Sequence, residues 1–169
     1  AVGEKSWAFL SSGTWSLMGM EVPQPIINEE SLRYNFTNEG GVAGTYRFLK
    51  NIMGLWLVQE CRRTWERSGR AYGYAELADL AGKAEPFMAI LDPDDPSFLA
   101  PGDMPTRIAD YCRKTGQRVP EAPGQFVRIC LESLAMTYRQ TLGRIESCTG
   151  RKADEPRDPA GQEAEAIPA

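Results

Sequence analysis

Short apolar stretches separated by glycine-bearing turns dominate the first fifty residues of the chain. Apolar and β-favouring side chains in residues 7–12 and 15–22 predict two strands that meet at a turn around Gly13. Residues 32–49 read as two further extended pieces, because three glycines between positions 40 and 44 interrupt them. The pattern therefore predicts an antiparallel meander.

Helical spacing replaces this pattern after about residue 50. Apolar side chains recur at intervals of three and four and predict four helices, over residues 51–69, 73–84, 105–116 and 124–148. The first is apolar nearly all round at its start, so its first turns should be buried. Asp103 is the expected N-cap of the third helix, and Gly116 lies at its end. Three prolines and four aspartates in residues 91–104 predict a loop.

Composition and charge exclude several classes of function. The 169 residues, 42% hydrophobic and 25% charged, suit one globular domain. A formal net charge of -4, without a Lys/Arg cluster, argues against nucleic acid as a partner. The chain has no histidine, so imidazole bases and histidine-ligated metals are excluded. No apolar run is long enough for a membrane span, which needs roughly 18 residues.

The four cysteines show neither close spacing nor a metal-binding motif. We therefore interpret them as reduced thiols of a cytoplasmic protein. A disulfide between Cys112 and Cys130 is left open, since the two residues flank a single connection and could approach one another.

The segment "SSGTWSLMG" at residues 11–19 allows two interpretations. It can be a plain hairpin, which composition alone favours, because the lysine of a phosphate-binding Walker loop is absent. Alternatively, small side chains let a phosphate approach the backbone, successive N–H groups form an anion-binding nest, and the Thr14 hydroxyl adds a donor.

Two amide side chains, Asn51 and Gln59, lie eight residues apart on the first predicted helix. Helical geometry places them about 80° apart around the axis and about 12 Å apart along it. Either Asn51 caps the helix and Gln59 lies at its solvent boundary, or both face a cleft and contact two parts of a long ligand. The acidic cluster "DPDDPS" fits Asx turns and helix caps better than a cation site.

Four segments in order carry a family resemblance: "WAFLSSGTWSLMG", "NEGGVAGTYRFLKNIMGLWLVQE", "LDPDDPSFLAPGDM" and "VRICLESLAMTYR". Over residues 7–148 the chain resembles rhamnulokinases, which are FGGY carbohydrate kinases of the actin/Hsp70/sugar-kinase superfamily. The resemblance implies an α/β fold, specifically part of the ribonuclease-H-like C-terminal domain. It also implies Mg-ATP and L-rhamnulose as ligands, with transfer of the γ-phosphoryl group to the C1 hydroxyl of the sugar.

The resemblance also assigns roles to individual residues. Ser12, Gly13 and Thr14 would contact the nucleotide phosphates, Gln59 would contact ATP, and Asn51 would contact the sugar. No catalytic residue and no metal ligand is carried over, because the family's general-base aspartate lies just before the region matched by Ala1.

The chain departs from the family pattern at both ends. It lacks the family's first domain and the "VGGG" loop that holds adenosine, and residues 149–169 read as a disordered polar tail. We therefore expect a kinase fragment that is inactive alone and that either self-associates through its exposed surfaces or is loosely packed. Two alternatives are a non-catalytic binding or interaction module built on a kinase half-domain, and a truncated gene product without selected function.

Overall fold

The computed structural model describes residues 7–153 and 156–157. By its internal contacts the chain divides into two units. The first unit comprises residues 1–12, 16–52 and 138–169, and the second comprises residues 13–15 and 53–137.

A five-stranded sheet lies almost wholly in the first unit, with the strand order β3-β4-β2-β1-β5. Its strands are β1 (Ala8–Ser11), β2 (Trp15–Val22), β3 (Thr37–Gly40), β4 (Tyr46–Met53) and β5 (Pro156–Arg157). β1 runs antiparallel to β2, and β3 runs antiparallel to β4. The mixed α/β class and the two antiparallel pairs predicted from the sequence are confirmed.

Glycine at position 19 lets β2 and β4 approach closely. A Cβ atom there would lie 2.5 Å from the carbonyl oxygen of Phe48 and 2.6 Å from the Cβ atom of Leu49. Phe48 is fully buried and stacks on Phe36 with ring centroids 4.6 Å apart. The contact between these two strands therefore requires a residue without a side chain at position 19.

Five α-helices and one 3₁₀ turn lie in the described residues. They are α1 (Glu29–Arg33), α2 (Trp56–Arg67), α3 (Tyr74–Lys83), the 3₁₀ turn (Pro96–Phe98), α4 (Met104–Lys114) and α5 (Pro123–Thr149). α5, at 27 residues, begins in the second unit and ends in the first. Within the part of the chain that the structure describes, no helix combines the length and hydropathy that a membrane span requires.

The helical pattern is confirmed for α3, α4 and α5. Asp103 is the N-cap of α4, since its carboxylate accepts a hydrogen bond of 3.2 Å from the Thr106 N–H. Gly116 follows the end of α4 with φ +68°, the left-handed conformation that favours glycine. Apolar residues of α2 to α5 and of the 3₁₀ turn form the core of the second unit, including Leu57, Leu77, Phe98, Ile108 and Ile129.

The predicted start of the first long helix at residue 51 is wrong. Residues 51–53 are the end of β4, and α2 begins only at Trp56. A continuous apolar run has no periodicity that distinguishes a buried strand from a buried helix, so the boundary was invisible in the pattern. The short helix α1 was not predicted; Asn28 and Ser31 cap it reciprocally, each side chain bonding the backbone N–H of the other.

The prediction of a disordered tail from Thr149 falls largely on residues that the structure does not describe. Residues 154–155 and 158–169 lie outside the described part of the chain. Within it, Thr149 is the last residue of α5, and Pro156–Arg157 pair in parallel with Ala8 and Phe9 of β1. At those two residues the structure differs from the prediction.

Candidate functional site

In the turn between β1 and β2, the backbone carbonyl oxygens accept hydrogen bonds from the segment that begins α2. The Leu55 N–H donates to the carbonyl oxygen of Gly13 at 2.8 Å. The N–H groups of Gly54 and Trp56 donate to the carbonyl oxygen of Thr14 at 3.1 and 3.2 Å. All five residues belong to the second unit. These bonds fix the tip of the turn to the segment that begins α2.

The N–H groups of the same turn are not consumed in this way. Thr14 is exposed and Gly13 is half-buried. Among the described residues, neither backbone N–H donates to another protein group. Because the carbonyl groups bond inward, these two N–H groups are available as donors to an anion. A Cβ atom at position 13 would lie 3.3 Å from the carbonyl oxygen of Trp15, a contact tight enough to favour glycine.

The side chains of Thr14 and Gln59 contact each other. Gln59 lies in the first turn of α2, where its N–H donates to the carbonyl oxygen of Leu55 at 2.9 Å. Its Nε2 donates to Thr14 Oγ1 at 3.0 Å, and its Oε1 accepts from the same hydroxyl at 3.1 Å. The structure thus brings together two residues that are 45 positions apart in the sequence. It places one hydroxyl and one amide beside the unpaired N–H groups of the turn.

Ser12 and Asn51 lie in the first unit. Ser12 Oγ is 3.4 Å from the hydroxyl of Tyr138, which in turn is 2.6 Å from Ser16 Oγ. Asn51 is an exposed residue of β4 and not of a helix, so it is not the cap of α2. The separation of about 12 Å from Gln59 that helical geometry gave does not apply.

The acidic loop, residues 92–98, is held together by hydrogen bonds that its own carboxylates accept. The Asp94 N–H donates to Asp92 Oδ1 at 3.0 Å, and the Ser97 N–H donates to Asp95 Oδ1 at 2.9 Å. Hydrogen bonds from Ser97 hold the pKa of Asp95 below its usual value. The interpretation as Asx turns and caps is confirmed. Residues 7–153 contain no group of three or more His, Cys, Asp or Glu side chains arranged to hold a metal ion.

Two contacts of the second unit were not foreseen from the sequence. Asp94 Oδ1 accepts a hydrogen bond of 3.0 Å from the backbone N–H of Met53. Glu60, fully buried next to Gln59, pairs with Arg63 and accepts a bond of 3.0 Å from the Gly102 N–H. Each joins residues about 40 positions apart, and no local pattern marks such a pair.

Three of the cysteines are buried in the core of the second unit as free thiols: Cys61, Cys112 and Cys130. Burial raises the pKa of the Cys61 thiol well above its ordinary value, and it also raises the pKa of Cys112. A buried thiol that stays protonated is a poor nucleophile and a poor metal ligand. The side chains of Cys61 and Cys112 therefore serve packing.

The sequence and the fold have clear relatives. A family model described as the C-terminal domain of the FGGY family of carbohydrate kinases matches residues 8–155. A rhamnulokinase of Bacteroides thetaiotaomicron is 49% identical over 148 residues, which are 88% of this chain and 30% of that protein. A rhamnulokinase of Enterococcus faecalis is 47% identical over 144 residues, 85% of this chain and 28% of that protein.

A solved structure shows the same fold at lower identity. The crystal structure of xylulose kinase from Bifidobacterium adolescentis superimposes with a TM-score of 0.56 at 14% sequence identity, covering 96% of this chain and 31% of that chain. The present chain thus spans less than a third of the length of the curated relatives it matches. The family match over most of the chain shows that the chain belongs to the FGGY family of carbohydrate kinases, within the C-terminal domain of that family.

Proposed function

We propose that this chain forms part of the nucleotide-binding domain of an ATP-dependent sugar kinase that phosphorylates L-rhamnulose at its C1 hydroxyl. The support for the substrate is the identity of 49% and 47% to two proteins named rhamnulokinase. The proposal concerns the intact kinase, since the chain corresponds to about 30% of those proteins. The reaction is assigned to the cytoplasm on the same ground.

The observation that carries the proposal is the contact between Thr14 and Gln59 beside unpaired backbone N–H groups. In the proposed complex, the N–H groups of Gly13 and Thr14 donate to phosphate oxygens of ATP, and the Thr14 hydroxyl adds a third donor. The Gln59 amide holds the Thr14 side chain and contacts the nucleotide. Bound Mg-ATP supplies the phosphoryl group and the cation that neutralises its charge.

Two further assignments belong to the first unit. Ser12, the residue before Gly13, is proposed to contact the nucleotide phosphates. Asn51 is proposed to contact the sugar, since its amide is an exposed polar group on β4 that can both donate and accept hydrogen bonds to sugar hydroxyls.

The chain by itself is proposed to be catalytically inactive. Phosphoryl transfer requires positioning of both substrates and an oriented nucleophile. We assign no general base to any residue of this chain, and it contains no histidine. Its residues bind and orient the nucleotide, whereas activation of the sugar hydroxyl needs a group from elsewhere in the kinase. The expected result is no L-rhamnulose-dependent ADP release from the purified chain.

The decisive experiment is a titration of Mg-ATP into the chain and into variants of Thr14. Thr14→Val removes the hydroxyl while keeping the shape of the side chain, and Thr14→Ser keeps the hydroxyl as a matched control. We expect a dissociation constant well above micromolar for the unaltered chain. One lost hydrogen bond should weaken binding by about three- to tenfold in Thr14→Val, with little change in Thr14→Ser.

Gln59 provides an independent arm of the same titration. Gln59→Ala should weaken binding, whereas Gln140→Ala, at an exposed glutamine of α5, should leave it unchanged. Equal affinity of Thr14→Val and the unaltered chain, or no binding at millimolar Mg-ATP, would overturn the assignment of the nucleotide site. Submicromolar affinity would contradict the expectation of weak binding.

A further inference from the structure

We propose that Asp94 is a positioning residue for the phosphate-binding turn, acting through the backbone of Met53 and Gly54. This inference rests on the proposed function, because it concerns the same turn. It gives a role to the acidic loop, which contributes to the family resemblance but to which neither that resemblance nor the nucleotide assignment gave a function.

Two consecutive backbone N–H groups of the second unit connect Asp94 to the turn. Asp94 Oδ1 accepts from the Met53 N–H at 3.0 Å. The next N–H along the chain, that of Gly54, donates to the Thr14 carbonyl oxygen at 3.1 Å. The Thr14 side chain then contacts Gln59. The carboxylate therefore fixes the peptide next to the one that holds the turn.

The acidic loop is itself held at both ends. Its start is closed by the Asx turn of Asp92 onto the Asp94 N–H, at 3.0 Å, and by a bond of 3.1 Å from the Asp95 N–H to the carbonyl oxygen of Asp92. Its end is anchored by Phe98, which is fully buried in the core.

The acidic loop also bonds the other end of residues 53–56, the segment whose N–H groups hold the turn. The indole Nε1 of Trp56 donates to the carbonyl oxygen of Phe98 at 3.0 Å. Gly54 and Leu55, whose N–H groups hold the turn, thus lie between two residues that bond the loop. Two anchors on either side of a dipeptide restrict its movement, so the carbonyl groups of Gly13 and Thr14 keep one orientation. The unpaired N–H groups of the turn are then presented in one arrangement before a ligand binds.

The proposed role rests on the acceptor oxygen that bonds the Met53 N–H. A phosphate ligand gains nothing from a nearby carboxylate, whereas the Met53 N–H needs an acceptor. Asparagine at position 94 keeps an oxygen in the same place and removes the charge. Alanine removes both. The two substitutions therefore separate the proposed hydrogen bond from any effect of charge.

The test is a titration of Mg-ATP into the full 169-residue chain carrying Asp94→Ala or Asp94→Asn, with Thr14→Val as the reference. Asp79→Ala is the matched control, since Asp79 is an exposed aspartate of α3 in the same unit. Circular dichroism verifies that each variant is folded. Amide hydrogen exchange of Met53 reports the bond without any ligand.

We expect Asp94→Ala to weaken Mg-ATP binding about three- to tenfold, as the loss of one anchoring hydrogen bond would. Met53 should then exchange faster. Asp94→Asn should restore both properties, and Asp79→Ala should alter neither. The double variant Asp94→Ala with Thr14→Val should lose less than the product of the single effects, because both act on one turn.

Two results would overturn the inference, and they differ from each other. If Thr14→Val weakens binding while Asp94→Ala does not, the positioning role is wrong and the nucleotide site stands. If Asp94→Asn is as impaired as Asp94→Ala, the charge and not the hydrogen bond matters, which also contradicts the inference. Failure of the unaltered chain to bind Mg-ATP, or unaltered binding in Thr14→Val, would reject the proposed function together with it.

Discussion

The start of α5 packs so closely against α3 that a single methyl group should disrupt the contact. Gly124 is the second residue of α5, and a Cβ atom there would lie 2.4 Å from the carbonyl oxygen of Leu80 and 2.6 Å from its carbonyl carbon. Both are backbone atoms. Arg128, one turn further along α5, donates to the carbonyl oxygens of Ala81 and Gly82 at 3.2 and 3.3 Å, which holds the end of α3 in place.

Gly124→Ala should therefore destabilise the fold, although alanine is the better helix former. Forcing an extra carbon into a packed contact costs about 1–3 kcal/mol. The gain in helix propensity is at most about 1 kcal/mol and is smaller in the first turn of a helix. We expect a net loss of about 2 kcal/mol in the free energy of unfolding. For a chain of this length, that loss corresponds to a melting temperature about 4–8 °C lower.

Gly143→Ala, on the same helix, is the matched control. Gly143 is exposed in the helix interior, and a Cβ atom there would meet no heavy atom within 4 Å. Its free energy of unfolding should rise by about 1 kcal/mol, because only the propensity difference remains. Thermal and urea unfolding followed by circular dichroism measure both variants. Equal or greater stability of Gly124→Ala than of the unaltered chain would refute the close contact of the two helices.

Three further predictions concern single polar groups. The Thr141 hydroxyl is buried and has no hydrogen-bond partner among the described residues. Thr141→Val should therefore raise the free energy of unfolding, measured by urea denaturation, by about 1 kcal/mol. A decrease would show that the hydroxyl does have a hydrogen-bond partner. Asp103→Ala should lower stability by about 1 kcal/mol through loss of the α4 cap at Thr106, whereas Asp103→Asn should retain most of it, and equal losses would contradict the capping role. The hydrogen bonds from Ser97 lower the pKa of Asp95. This carboxylate therefore stabilises the fold above its unfolded pKa, and the stabilisation is lost as the pH falls through its folded pKa. Ser97→Ala should raise the pKa of Asp95 measured by NMR, and an unchanged pKa would show that Ser97 is not the cause.

The sequence predicted the elements whose signals are local. Alternation and turn glycines located the strands β1 to β4, and spacings of three and four located α3, α4 and α5. Asp103 was found as a cap because a capping side chain acts on a backbone N–H only three residues away. The start of α2 was misplaced by five residues, because the apolar side chains at positions 52, 53 and 55–58 suit a strand as well as a helix.

The geometry of the candidate site, in contrast, could not be predicted from the sequence. The turn and the two amides were selected from the sequence together with a family resemblance, but their geometry was not accessible in this way. The helical calculation for Asn51 and Gln59 failed because it assumed one element where the chain has two. The contact between Thr14 and Gln59 joins residues 45 positions apart, and the bond of Asp94 to Met53 spans 41 positions. Such pairs are determined by tertiary packing, for which residue spacing carries no signal.

The geometry of the turn also explains why a plain hairpin and a phosphate-binding turn look alike in sequence. Both need small residues at the bend, so "SSGT" is compatible with either. What separates them is the direction in which the peptide groups bond. In an ordinary two-residue hairpin, the turn peptides bond across the two strands. Here the carbonyl oxygens of Gly13 and Thr14 are bonded instead by the segment that starts α2. That bonding leaves the N–H groups of the turn available to an anion. The acidic loop, through Asp94, holds the segment whose N–H groups bond these carbonyl oxygens.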